Sequence, residues 1–400
     1  MYKNLLFVLI VCFNVIPGNL YAQNIRYDFN KIENREHLNL FYNKLNKKQE
    51  AIKILHLGDS HVMMGHFTNE IRRILDSAFG IISYGWAFPN QIGKYNTLYT
   101  NSKLNTGKRS FYNNLYKEGL YQNGIAGQSI QLLDTINQIE FSLKNVPSKF
   151  QYFNTINILY QSDSNVNLTL YAFDTNEINI KKDSLIKSTP LINYYPKKEQ
   201  ISTFKLNNNY NKIKINVKKT DTSSLFNLLG IYLGNEDLTK GVVYNSLGVG
   251  GSNLNSIVNN NSLLIGDIIM YQPDLIILSF GSNDAYYKAF DEKEYKNKIE
   301  SFIKTISISQ PNVSFLITSP PDSRAKNRIP INLSKIQEVF KQVALKYNNV
   351  AYWDLRTIMG GDKSILQWLK PKLASFDKLH YTKEGYILQA NLLMNAMLKN

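Results

Sequence analysis

The sequence predicts an α/β protein: a doubly wound, flavodoxin-like parallel sheet of five strands, carrying an inserted all-β domain of jelly-roll or sandwich type. Three observations predict it. Short apolar runs at 52–57, 242–247, 275–280, 314–318 and 350–355 alternate with amphipathic stretches of helical period. Between the first two of these runs the period changes to two, in Ile156/Ile158/Tyr160, Val166/Leu168/Leu170/Ala172 and Ile213/Ile215/Val217, with polar loops and no long amphipathic helix between them. Finally, the polar clusters of the α/β part each follow the carboxyl end of a strand, where open parallel sheets present their chemistry.

Taken in order, the chain opens with Lys3, the apolar run Leu5–Ile16, a Pro17-Gly18 break and Leu20-Tyr21-Ala22. That is the order of a secretory signal, cut after Ala22, and the run is shorter than the roughly 20 apolar residues of a membrane span. Residues 1–22 are therefore expected to be a signal peptide, and the protein to be exported, periplasmic or at the cell surface. Cys12 is the only cysteine and lies inside that segment, so the mature chain is expected to hold no disulfide. Residues 32–47 predict a lead-in helix. Ile52–Leu57 predicts a buried strand ending in Gly58-Asp59-Ser60, and Gly65–Phe79 the helix that follows, with Gly80 as its C-cap. The aromatic loop 84–89 contains Trp86, a candidate for shaping a pocket or plugging the sheet edge.

The expected domains are 23–107 (first part of the α/β unit), 108–240 (inserted β-sandwich) and 241–400 (second part). In the second part, strands at 242–247, 275–280 and 314–318 lead into Gly248-Val249-Gly250-Gly251-Ser252, Gly281-Ser282-Asn283-Asp284 and Ser319-Pro320-Pro321-Asp322-Ser323. Helices are expected from Asp291 to about Ser309, over about 333–346, and from Thr382 to the C-terminus, with Asp377-Lys378-Leu379-His380 before the last. The net charge is +15, but the basic residues are scattered rather than striped, which argues against nucleic acid and suits steering toward an anionic polymer.

Acyl transfer by serine needs a nucleophile, a base, a carboxylate that orients the base, and donors for the oxyanion. Of the five histidines, only His380 joins a late loop position to an acid three residues earlier. Ser60, His380 and Asp377 are therefore the candidate triad. The Ser60 and Gly251 backbone N–H groups and the Asn283 side-chain amide are the candidate oxyanion donors, with Gly250 an alternative to Gly251. His56, His61 and His66 recur every five residues, a spacing that suits neither a helix face nor a strand face, so no metal is expected. No dinucleotide fingerprint, P-loop or Gly-x-Ser-x-Gly elbow occurs, and no cofactor is expected.

Gly58-Asp59-Ser60, the glycine turn with Gly251, Gly281-x-Asn283-Asp284 and Asp377-x-x-His380 resemble, in order, the four blocks of the SGNH (GDSL-type) hydrolases. The resemblance spans about 50–100 and 240–400. It implies the SGNH hydrolase fold, with Ser60 as nucleophile, Gly251 and Asn283 as oxyanion donors, and Asp377 and His380 completing the triad. His61 stands where the commonest version has leucine. That variant, the β insert and Tyr352-Trp353-Asp354-Leu355…Gly360-Gly361 are similar to the exported peptidoglycan O-acetylesterase branch, in which the insert resembles a carbohydrate-binding module. What this implies is removal of O-acetyl groups from a cell-wall glycan, peptidoglycan first, with His61 and Trp86 as candidate substrate contacts. Three alternatives stand beside it: an acetylesterase acting on xylan, pectin or sialic acid, a glycan-binding protein with a vestigial site, and an O-acetyltransferase.

Overall fold

The computed structural model describes residues 25–93, 95, 97–115, 123–175, 183–184, 189–191, 199–235, 239–258 and 262–399. The expected signal segment lies outside them. Leu55, Leu57, Ile276, Leu278, Phe315 and Ile317 are buried on a seven-stranded sheet in the order Ile32–Glu33, Val350–Trp353, Ser314–Thr318, Leu275–Ser279, Ala51–Gly58, Gly241–Gly248, Ile81–Ser83. All neighbours run parallel except Ile32–Glu33, which pairs antiparallel with Tyr352 and Trp353 at the edge.

The five expected strands are the middle five of the seven. They lie in the flavodoxin-like order, so the chain reverses direction across the sheet between Ala51–Gly58 and Leu275–Ser279, the place where open sheets form a crevice. The five-strand expectation is thus short by two edge strands. Ile32–Glu33 has only two residues and sits where a helix was expected; the helix itself is confined to Asn39–Lys47. Strands this short carry no readable period.

Ser314–Thr318 is buried at every position, because helices cover both faces of a doubly wound sheet. Helix His66–Phe79 packs on Lys383–Leu398, and Glu292–Ser309 on Leu333–Lys346. Side-chain caps start two of these helices: Asp291 accepts from the Glu294 amide, Thr382 from the Gly385 amide.

Two antiparallel sheets, of five and seven strands, occupy the middle of the chain. Ile136–Leu143 and Lys212–Lys218 alternate buried and outward positions, the sign of a sheet with one face in the core. The boundary expected between 107 and 108 falls between Thr100–Thr106 and Arg109–Asn113, and both of those strands belong to the antiparallel sheets. Thr100–Thr106 contains a single large apolar residue, Leu104, so its strand character is invisible to hydrophobic periodicity.

The aromatic loop is likewise a strand, Gly85–Ala87, paired with Ile231–Leu233 of the antiparallel part. Trp86 lies in it, 5% exposed, with its backbone N–H donating to Asn245 Oδ1 (2.7 Å) and its ring edge-on to Tyr232. Of the two readings of Trp86, the strand places it at the seam between the two parts, where it also lines a small cavity with Met63, Phe88 and Gly248. The ring is large and apolar, and the seam is where it can be covered.

Candidate active site

Strands Ala51–Gly58, Gly241–Gly248 and Leu275–Ser279 end level with one another, Gly58 opposite both Gly248 and Ser279. The loops that leave them therefore meet at one edge. A Cβ on Gly58 would stand 2.3 Å from Val62 Cγ2 and 2.9 Å from the Ser279 carbonyl oxygen, so only glycine lets the chain turn there. Ser60 then opens a one-turn helix, Ser60–Met63. Asp59 caps it, its Oδ1 accepting the His61 N–H at 2.9 Å.

Opposite this turn, Asp377 folds back over three residues. Its Oδ1 accepts the Leu379 and His380 amides, both at 3.0 Å, and its Oδ2 accepts from His380 Nδ1 at 2.7 Å. Partial burial pushes the Asp377 carboxyl up, but the hydrogen bonds from the His380 side chain and the two amides outweigh it and hold the group below the usual carboxylate value. With Nδ1 donating to Asp377, Nε2 is left as the lone-pair nitrogen, and it lies 3.0 Å from Ser60 Oγ. Residues 320 positions apart thus form a hydroxyl–imidazole–carboxylate chain in which His380 can take the Ser60 proton.

The candidate donors gather at the same edge. Gly251 has φ +81°, a left-handed conformation that favours glycine. Asn283 Nδ2 donates to the Ser252 carbonyl at 2.8 Å, which fixes the amide and leaves its second N–H for an oxyanion.

Beneath them sit two buried carboxyls that the sequence reading used only as turn residues. Burial pushes Asp59 up to about 6, against the His61 amide, the Ser282 hydroxyl and the charge of His380, which pull it down. Asp284 is pushed up to about 7 by burial, although both its oxygens accept the Leu254 N–H and so tie the glycine turn to the Asn283 loop.

His61, named above as a candidate substrate contact, is buried. Its Nδ1 is bonded to Tyr386 Oη at 2.9 Å and its ring lies 5.5 Å from that of His380. Burial, aided by the charge of His380, pushes its pKa down to about 3, so the ring is neutral. The residue follows Ser60 on a one-turn helix that turns its side chain inward. Tyr386 was missed in the sequence; its spacing from Thr382 marks it only as a core position of the last helix. His56 is also neutral and structural, its nitrogens bonded to Tyr244 Oη and Ser279 Oγ, both at 2.7 Å, with burial pushing its pKa to about 3.

Residues 227–388 match the GDSL-like Lipase/Acylhydrolase family, a span that contains Gly251, Asn283, Asp377 and His380 but not Ser60. A solved structure of a peptidoglycan O-acetylesterase matches with a TM-score of 0.68 at 18% identity, covering 90% of this chain and 95% of that one. A family two carbohydrate esterase from Cellvibrio japonicus matches at TM-score 0.30 and 13% identity over 74% of this chain and 98% of that one. Axe2, an acetylxylan esterase from Geobacillus stearothermophilus, matches at TM-score 0.33 and 17% identity over 40% of this chain and 74% of that one. No curated protein matches in sequence. Residues 227–388 are thus similar to the GDSL-like acylhydrolases, and the chain has the SGNH hydrolase fold.

Proposed function

We propose that this enzyme removes O-acetyl groups from a cell-wall glycan, with peptidoglycan as its first substrate. The observation that carries the chemistry is the chain from Ser60 Oγ through His380 to Asp377, at 3.0 and 2.7 Å. His380 Nε2 takes the hydroxyl proton as Ser60 Oγ attacks the acetyl carbonyl carbon. The oxyanion receives hydrogen bonds from the Ser60 and Gly251 backbone N–H groups and the free N–H of Asn283. His380 then gives its proton to the departing sugar oxygen. Water attacks the acetyl-enzyme by the same route, releasing acetate and restoring Ser60.

The substrate choice is supported by the likeness to a peptidoglycan O-acetylesterase along nine-tenths of the chain, antiparallel part included. The open setting agrees with it: the side chains of His380 and Asp377 are 27% and 51% exposed, which suits a small acyl group displayed on a large polymer. Export fits the same reading, and no helix among the described residues is long and apolar enough to cross a membrane.

The test is acetate release by the mature protein from O-acetylated peptidoglycan, acetylated xylan and 4-nitrophenyl acetate, with Ser60→Ala as the blank. Release from peptidoglycan well above xylan is expected. Turnover of the small ester alone overturns the substrate; silence on all three overturns the mechanism.

A further inference from the structure

Under the Ser60 turn lies a small cavity, with about 20 Å³ of room for a water centre, lined in part by Asp59, His61, Ser282, Ser319 and Gln389. Three of these residues each carry a buried polar atom with no well-formed hydrogen bond among the described residues: Asp59 Oδ2, His61 Nε2 and Gln389 Nε2. The residues are 1%, 7% and 3% exposed. The Ser282 hydroxyl stands near the Asp59 carboxylate, and it lines the same cavity. Buried polar atoms are rarely left unpaired, because they have given up water and gained nothing. A site that offers room for one water and two to four polar partners is what a structural water requires.

We propose that this cavity binds one structural water joining Asp59, His61 and Gln389, and that His61 and Gln389 are thereby positioning residues for the Ser60–His380 pair. The donors and acceptors balance. The Gln389 amide donates to the water oxygen, and the water donates its two hydrogens to Asp59 Oδ2 and His61 Nε2. For Nε2 to accept, the single proton of the neutral imidazole must sit on Nδ1, which donates to Tyr386 Oη at 2.9 Å. The low pKa of buried His61 keeps the ring in that neutral form.

The geometry gives the water a task. Asp59 and His61 flank Ser60 in sequence. Gln389 and Tyr386 both stand on helix Lys383–Leu398, which begins three residues past His380. The C-terminal helix therefore holds His61 at both ring nitrogens, through Tyr386 directly and through Gln389 by way of the water. The serine's turn is pinned to the element that follows the base, with the His61 ring against that of His380. A hydrogen bond made across 320 residues is sensitive to slippage between these two segments, and a misplacement of about 1 Å can cost about 10²-fold in rate.

The positioning role rests on the esterase mechanism proposed above; the water site does not. A high-resolution crystal structure of the wild-type protein is expected to show ordered density within about 3.2 Å of all three atoms. A dry cavity, or a Gln389 amide bonded directly to His61 or Asp59, overturns the proposal. Gln389→Met, of similar length and without polar atoms, is expected to lose that density and to lower kcat on 4-nitrophenyl acetate about tenfold with KM unchanged. Wild-type kcat in a folded Gln389→Met protein overturns the positioning role. Should that variant not fold, the wild-type density alone decides. An enzyme silent on esters that still holds the water defeats the proposed function and leaves the water site standing; an active enzyme with a dry cavity does the reverse.

Discussion

Every side chain of Ser314–Thr318 in the parallel sheet is buried, whereas along Ile136–Leu143 of the antiparallel sheets buried and outward positions alternate. The parallel strands are covered on both faces, so mid-strand His56 and Asn245 are hydrogen-bonded inside the fold and the polar residues that can meet a substrate stand at the strand ends. There Gly58, Gly248 and Ser279 lie level, and the loops that follow bring Ser60, Gly251 and Asn283 to one edge. The antiparallel strands can place polar residues along their outer face, and their buried polar groups serve the fold.

Lys219 shows this. Its buried ammonium donates to the carbonyls of Leu132 (2.9 Å), Ser224 (2.8 Å), Leu133 (3.3 Å) and Thr222 (3.4 Å), acting as an internal cation that ties loops together. The parallel sheet thus concentrates reactivity at one edge, and the antiparallel part spends its buried polar groups on cohesion.

That contrast can be broken by mutation. Ser60→Ala should reduce ester turnover by roughly 10⁴- to 10⁶-fold with an unchanged unfolding transition, as judged by acetate release and by urea denaturation. A residual rate near wild type would remove Ser60 from the chemistry. Asn283→Ala should cost about 10²–10³ in kcat while KM stays close to wild type, the expected loss of one oxyanion donor. A purely local turn residue would leave kcat alone.

Lys219→Met should behave in the opposite way. With its apolar stem kept and its ammonium gone, four carbonyls lose a donor, and stability should fall by about 1–3 kcal/mol while kcat of the folded protein is retained. A matching loss of kcat would mean that the two parts of the molecule are not separable in this sense.

The smallest effect concerns the floor of the site. Asp284 is pushed up to about 7 by burial, so between its ordinary range near 4 and pH 7 the folded chain holds a proton that the unfolded chain has released. Stability contributed by this group is present at low pH and is lost as pH rises through about 7. The stability of wild type relative to Asp284→Asn should therefore decline across that window, measured as the difference between urea midpoints at a series of pH values. A flat difference would show that the carboxyl is ionised throughout.

The four blocks were legible because each is a local event, a strand that stops and a turn that carries a polar residue. The continuous apolar runs announced strands buried on both sides, and Asp377-x-x-His380 announced a pair that one turn can close. The edge strands Ile32–Glu33 and Ile81–Ser83 were too short to show a period. Polar Thr100–Thr106 had no apolar alternation to show. Trp86 and His61 each allowed two readings for a shared reason: an aromatic or a histidine beside a nucleophile reads the same in sequence whether it faces solvent or the core. Tyr386, Gln389 and Asp284 gave no signal as supports of the site, since what defines them is a partner far away in the chain.

The sequence by itself determined which chemical groups were available and which strands would be buried, because residue type and short-range period decide both. Tertiary structure alone decided that Ser60 and His380 meet at 3.0 Å, that His61 turns inward against Tyr386, and that Trp86 closes the seam. Those contacts depend on how loops and helices pack at the sheet edge between segments hundreds of residues apart, and residue type and short-range period do not set those distances.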